Sequence, residues 1–482
     1  MRIIQKLALC LAVLFAAAYS AKSQQLPSTA LTNIMIHKAN GEVINSGAIV
    51  WRNGVIEAVG SNVNIPFDAH TIDGGDSLHV YPGFIDGYST WGSPGRERPE
   101  SVDDPGTPGY DRAGIQPQRL PSDLMKTDDK NLAEALKFGF TTAQLGLEGE
   151  MLPGKTEIFF IQGKETDENL LKENTGISFQ FEGARGGFSS RAYPNTTMGV
   201  MARFRQLMYD TEALEQHIDY FASANGSYPA PKRDEVLESL FPVLNNDLPI
   251  LFQADTPEDL ERFMHLKEEF GFTPILVSGK QLWHKAGFLK ENNIPVLASV
   301  EFPEMPDWYK KQKEAEEKDE KEEEDKDKEE DDKDSEDEPV SDEEKQFREK
   351  QLKSYLDRVK NIKTLKEAGV KVGFAGMGMK PDDFTKHLKV LLDEGEFTTE
   401  ELIRFMSADT AEILGVNSVT GEIETGKTAS FTVLKKPFSD KKPEVLMTIS
   451  NGQIHEFFKS KIPAVYKLIF LVSRFDNGSA QR

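Results

Sequence analysis

Three kinds of group could build a reactive centre in this chain: eight histidines, one cysteine, and carboxylates that outnumber the cations by 80 to 57. The histidines are His37, His70, His79, His217, His265, His284, His387 and His455. A metal centre favours two of them at His-x-His or His-x-x-x-His spacing, which brings both rings to one face of a strand or helix. No pair has either spacing. His265, His284 and His387 fall on expected helices, where a surface or hydrogen-bonded imidazole is the ordinary role. Cys10 is the only thiol, and it lies in an apolar run near the start. Ser278 and Thr90 would be nucleophiles only beside a general base, and the sequence sets none next to them. Asp382 and Asp383 follow the expected eighth strand and are candidates for a general base, although a helix N-terminus favours acidic residues by itself. Gly146-Leu147-Glu148-Gly149 and Gly183-Ala184-Arg185-Gly186-Gly187 could turn backbone N–H groups toward an anion, with Arg185 as a contact. Loops that need positive φ explain both stretches equally well.

The elements that must hold these groups fall into two patterns. Residues 31–80 alternate and turn like small β structure, and Asn53-Gly54 marks a hairpin because both residues tolerate positive φ. From residue 81 the pattern changes to strands alternating with helices. The strands are expected at 81–86, 140–145, 157–162, 176–181, 248–253, 273–278, 294–300 and 369–376. Helices are expected at 128–138, 198–209, 257–270, 280–291, 350–368, 382–393 and 398–414. Eight such strands favour an α/β protein built on a (β/α)8 TIM-like barrel over an open sheet. After the barrel, Phe431–Leu434 and Val445–Ile449 return to β material. The expected organisation is therefore a composite β-sandwich domain from 28–80 with 416–460, a barrel over 81–415, and a C-terminal extension over 461–482. With 27 residues after His455, the chain also reads as the front module of a longer two-barrel protein.

The first 23 residues have the form of a secretory signal. Arg2 and Lys6 precede the apolar run Leu7–Ala18, and small residues offer cleavage after Ser20 or Ser23. That run is too short to span a bilayer, so no transmembrane segment is expected in the mature chain. Export without disulfides points to a bacterial periplasm, cell surface or medium. A net charge of −23 argues against nucleic acid as a partner, which needs a basic face. Residues 311–350 hold 10 Lys/Arg against 22 Asp/Glu, a net of −12. A segment this polar cannot bury enough surface to offset its ordering entropy, so it reads as a solvated excursion between strands seven and eight.

Four stretches in this order carry a family resemblance: Pro82-Gly83-Phe84-Ile85-Asp86, Phe138-Gly139-Phe140-Thr141-Thr142-Ala143, Tyr193-Pro194-Asn195-Thr196-Thr197-Met198-Gly199, and Ala411-Glu412-Ile413-Leu414-Gly415 with Gly421-Glu422-Ile423-Glu424-Thr425-Gly426-Lys427. In them the chain resembles the amidohydrolase superfamily, in its imidazolonepropionase-like branch. The resemblance implies a metal-bearing barrel with a β-sandwich built from both termini. It also implies a His-x-His pair at strand one, where this chain has Tyr88 and Thr90. The implied histidine of strand five falls at Gln253, or at Asp255 if the register slips by two. That of strand six falls at Ser278, and the aspartate of strand eight falls at Met377.

A catalytic zinc takes about three protein ligands and lowers the pKa of its water from roughly 15.7 to about 7. At ~1.36 kcal/mol per unit, that is on the order of 12 kcal/mol of nucleophile activation. Neutral Tyr, Thr, Gln, Ser and Met side chains do not supply it. The expectation is an exported, catalytically degenerate amidohydrolase-like protein with no cofactor, which binds a protein partner or a small amide or peptide. The alternative is an active hydrolase of cyclic amides or peptides with relocated ligands, and only that reading calls for zinc.

Overall fold

The computed structural model describes residues 26–96, 104–126, 128–162, 169–184, 192–224, 229–324, 341–440 and 444–457, without the side chains of 317–324. The expected signal, Arg185, residues 325–340 of the acidic segment and the extension 461–482 lie outside the described residues. The chain is a mixed α/β protein with two sheets.

The first sheet joins β1 (Thr29–His37), β2 (Val43–Arg52), β3 (Val55–Gly60) and β4 (His70–Pro82) to β13 (Phe431–Leu434), β14 (Val445–Ser450) and β15 (Gln453–Glu456). Its order is β15-β14-β13-β4-β1-β2-β3, so both parts of the chain share one hydrogen-bonded sheet. Asn53 and Gly54 have φ of 52° and 77°, the pair of positive values that a tight hairpin between β2 and β3 requires. β13 lies antiparallel to β4, with Val433 opposite Val80 and Phe431 opposite Pro82. Leu31, Ile49, Val80, Phe431 and Ile449 form the core on this sheet. The β3 edge is tied back to the C-terminal part, since Gly426 N donates to Ile56 O at 2.9 Å and Ala429 N to Gly54 O at 2.7 Å.

The second sheet contains β5 (Phe84–Ser89), β6 (Phe140–Leu145), β7 (Lys155–Phe160), β8 (Leu170–Phe179), β9 (Ile250–Ala254), β10 (Pro274–Ser278), β11 (Val296–Ser299) and β12 (Val372–Ala375), side by side in chain order. From β8 to β12 the strands are parallel. The expected alternation fails at β7, which runs antiparallel to both β6 and β8. The reason lies in the connections. Parallel neighbours need a crossover of a dozen or more residues, and the nine residues between β6 and β7 carry no helix. The two ends of the strand order meet: Met377 N donates to Tyr88 O at 2.9 Å, and Gly376 N to the Asp86 carboxylate at 2.7 Å. Gly87 is required at that approach, because a Cβ there would stand 2.5 Å from Phe374 O.

Helices pack around this sheet through aromatic contacts such as the stacked rings of Phe252 and Phe263, 4.0 Å apart. Pro257–Phe270 starts at Thr256, whose side chain accepts from Asp259 N, and it ends at Gly271 in the left-handed region. The helix expected at 198–209 continues to Ser223, since no breaker interrupts it. The helix expected at 398–414 is instead two, Thr399–Phe405 and Ala408–Leu414, and the Met406 carbonyl at the break accepts from Ile85 N at 2.7 Å. The acidic segment enters and leaves through helices Asp307–Glu324 and Asp342–Val359, between β11 and β12. Trp308 Nε1 joins the two at 2.9 Å from Gln351 Oε1. No described helix is long and apolar enough to cross a membrane.

Candidate functional site

Tyr88 lies in β5 and Thr90 just after it, Gln253 lies in β9, Ser278 ends β10, and Met377 follows β12 by two residues. All five line one cavity of about 470 Å3 at these strand ends. Alternation along the strands and the near approach of β5 to β12 bring them together, although their separations in the chain are large. Ser278 and Met377 have φ of 76° and 53°, values uncommon for residues with a Cβ. Each is followed by a glycine that is also at positive φ, Gly279 at 58° and Gly378 at 77°. Both strands therefore end in a sharp left-handed turn at the cavity wall.

The five side chains are neutral, and two of them, Tyr88 and Ser278, are committed to neighbours. Tyr88 Oη is 3.0 Å from Ser178 Oγ, and burial pushes its phenol above the ordinary value, so it stays protonated. Ser278 Oγ donates to the Asp255 carboxylate. The sequence set no base beside Ser278, but the fold does, by laying β9 and β10 in parallel register with Ser278 opposite Ala254. Asp255 itself is not among the residues that line the cavity.

Charged residues that the sequence did not single out complete the walls. Arg96 bonds to Glu182 and stands 4.0 Å from Glu150. Burial pulls its guanidinium pKa down, but the Glu182 bond and the nearby Glu150 and Glu148 outweigh that and raise it. Lys280 Nζ pairs with Glu301 at 2.6 Å, and this bond holds the Glu301 carboxyl below its usual range. Gln180 Nε2 donates to the carbonyls of Gly149 and Glu150 at 2.7 and 2.8 Å. Leu147, Glu148 and Gly149 reach the cavity. The Glu148 amide donates to Ser93 Oγ at 2.8 Å and the Gly146 amide to Ser89 O at 2.8 Å, so both N–H groups are occupied.

Asp86 is buried in β5. It accepts from the amides of Gly376 and Tyr88 at 2.7 and 3.1 Å, and its Oδ2 has no partner. Burial pushes its pKa up to about 7, against the pull of those bonds.

A catalytic zinc would need about three anionic or imidazole donors converging on one point. Among the described residues no three His, Cys, Asp or Glu do so. Asp382 and Asp383 are exposed in the first turn of helix Pro381–Asp393 and outside the cavity lining. None of the histidines lines the cavity. His37 and His79 face each other in the first sheet, with Nε2 and Nδ1 2.9 Å apart. The side chains at this site do not fit a zinc of the catalytic kind.

The Amidohydrolase family matches residues 352–455 of the sequence. No curated protein matches the chain. Among solved structures, an amidohydrolase from Thermotoga maritima is similar in fold, with a TM-score of 0.67 and 19% identity over 89% of this chain and all of that one. A prolidase complexed with N-methylphosphonate-L-proline gives 0.46 at 12% identity, covering 89% of this chain and 99% of its own. Ochratoxinase from A. niger gives 0.43 at 13%, covering 90% and 96%. The chain thus matches the Amidohydrolase family over its C-terminal part and shares the fold of a solved amidohydrolase over most of its length.

Proposed function

We propose that this protein is an exported, catalytically degenerate amidohydrolase, a pseudoenzyme that uses its strand-end cavity to bind a small amide or short peptide. In this reading the eight-stranded sheet is a barrel closed between β5 and β12. The seven-stranded sheet is the composite β domain, and residues 1–23 are the export signal.

One observation carries the proposal. The five positions at which the family resemblance implies metal ligands converge on one cavity, and every one holds a neutral side chain in place of an imidazole or a carboxylate. The scaffold persists while the reactive groups are replaced together. What lines the cavity suits a polar ligand instead. Gln253, Ser278 and Thr90 offer amide and hydroxyl groups, and Arg96, Lys280, Glu148 and Glu301 offer charges of both signs. A cavity of this size matches ordinary small-ligand sites, roughly 300–1,000 Å3.

The test is metal analysis of the purified chain together with thermal shifts over a panel of dipeptides and cyclic amides. A bound ligand at about 100 times its Kd stabilises by ~2.7 kcal/mol, enough to raise the melting temperature measurably. The expected result is stabilisation by one ligand class, no stoichiometric zinc and no turnover. One tightly held zinc per chain, or hydrolysis of a panel member, would instead establish a hydrolase with relocated ligands.

A further inference from the structure

A second cavity of about 240 Å3 adjoins the first, and the Lys280–Glu301 pair lines both. Its lining includes Arg358, from the last turn of helix Asp342–Val359. This arginine is half-buried, and its guanidinium makes no hydrogen bond, ion pair or ring contact among the described residues. The contrast with Arg96 is direct, since that guanidinium is held by Glu182 with two further glutamates around it. The one carboxylate that lines this cavity, Glu301, is paired with Lys280 and not with Arg358, in a chain with 23 more negative than positive charges. A basic residue in the last turn of a helix gains roughly 0.3–1 kcal/mol from the helix dipole. That accounts for a cation at this end of the helix, but not for its placement at a cavity wall.

The wall is also held in place. Asn361, only 2% exposed, donates from Nδ2 to Gly279 O at 2.7 Å and accepts from Leu282 N at 3.0 Å. Both bonds fasten the helix end to the loop after β10, which carries Lys280. Arg358 and Lys280 thus line one small space whose two supporting segments are tied together by a buried side chain. Pre-organised cations of this kind lose little entropy on taking an anion, and a guanidinium matches the two oxygens of a carboxylate.

We propose that this second cavity is a carboxylate subsite, in which Arg358 together with Lys280 receives the C-terminal carboxylate of a short peptide whose body lies in the main cavity against Gln253 and Ser278. The assignment rests on the reading that the main cavity binds amides or peptides, and it narrows that class to ligands with a free acid terminus. Lys280 belongs to both spaces and marks where the peptide crosses from one to the other.

The experiment measures binding of the twenty Ala-Xaa dipeptides to the full chain, each as free acid and as C-terminal amide, with acetate at equal concentration as a separate arm. The expected result is a free acid that binds at least about tenfold more tightly than its own amide, with acetate far weaker than either. Arg358→Gln should reduce the acid to the affinity of the amide and leave the amide unchanged, and Arg358→Lys should fall between. Equal binding of acid and amide to the wild-type chain would overturn the subsite and leave the main-cavity reading standing. Equal weakening of both by Arg358→Gln, with Arg358→Lys behaving the same way, would also overturn it. Stabilisation by acetate equal to that of the best acid would overturn the assignment to a peptide terminus. Failure of every dipeptide in both forms would overturn the subsite and the peptide reading together.

Discussion

The amide of Met377 donates to the carbonyl of Tyr88 at 2.9 Å, which joins the end of β12 to the end of β5 at the cavity rim. These are the last and the first of the positions where the family resemblance implies a ligand. The same junction takes the Gly376 amide onto Asp86, and it leaves no room for a side chain at residue 87. A backbone contact therefore holds the two ends of the cavity rim together.

Gly87→Ala should destabilise the chain by about 3 kcal/mol, because its Cβ would stand 2.5 Å from Phe374 O and 2.6 Å from a Leu297 methyl. Gly95→Ala is the matched control, with nothing within 4 Å of the added carbon. Urea unfolding of both variants measures the difference, and equal midpoints would rule out the tight junction.

Asp86 makes stability depend on pH. Its folded pKa is pushed up to about 7 from 3.8, so between those values the folded chain keeps a proton that the unfolded chain has lost. Stability is full below about pH 4, falls as pH rises toward 7, and levels off above it. The total is on the order of 4 kcal/mol at ~1.36 kcal/mol per unit. Asp86→Asn should remove most of this slope between pH 4 and 7, as read from denaturation midpoints. An unchanged slope would show that Asp86 titrates near its ordinary value.

Ser278 combines a positive φ with a bond to Asp255, and two substitutions separate the effects. Ser278→Ala loses the bond and keeps the strain, at a cost of about 1–2 kcal/mol. Ser278→Gly also loses the bond but relieves the backbone, so it should be about 1 kcal/mol more stable than the alanine variant. The order wild type, glycine, alanine is the expected outcome of thermal melts. Alanine equal to or above glycine would contradict the conformation at this turn.

Lys313 pairs with the buried carboxylate of Glu394 and so fastens the first acidic helix to the body of the protein, with Tyr309 as the second donor at 3.2 Å. Lys313→Ala should cost roughly 1–3 kcal/mol, because it strands a buried charge while the lysine itself was partly screened by solvent. Lys313→Ala combined with Glu394→Gln should recover part of that loss, which a double-mutant cycle measures. Additive costs would show that the two side chains do not interact.

Much of the fold was legible in local pattern. The apolar runs that became β9 and β10, the cap Thr256 and the left-handed Gly271 around Pro257–Phe270, and the Asn53-Gly54 hairpin are set by residues close in the chain. The composition of residues 311–350 likewise placed a polar excursion before the last strand. The identities Tyr88, Thr90, Gln253, Ser278 and Met377 were also legible, and the resemblance alone marked them as the positions to compare with a ligand set. What periodicity could not carry was direction and distance. The antiparallel run of β7 depends on which neighbours it bonds. The meeting of Ser278 with Asp255 depends on the register between two strands. Arg96, Lys280, Glu301 and Arg358 sit in no motif, and they matter only because strands and helices far apart in sequence end beside one another. The sequence by itself determined which side chains stand at the positions the resemblance marks, since side-chain identity is fixed wherever the residue lies. Only the tertiary structure decided what those side chains form together, because a cavity is made by long-range contacts that no local pattern encodes.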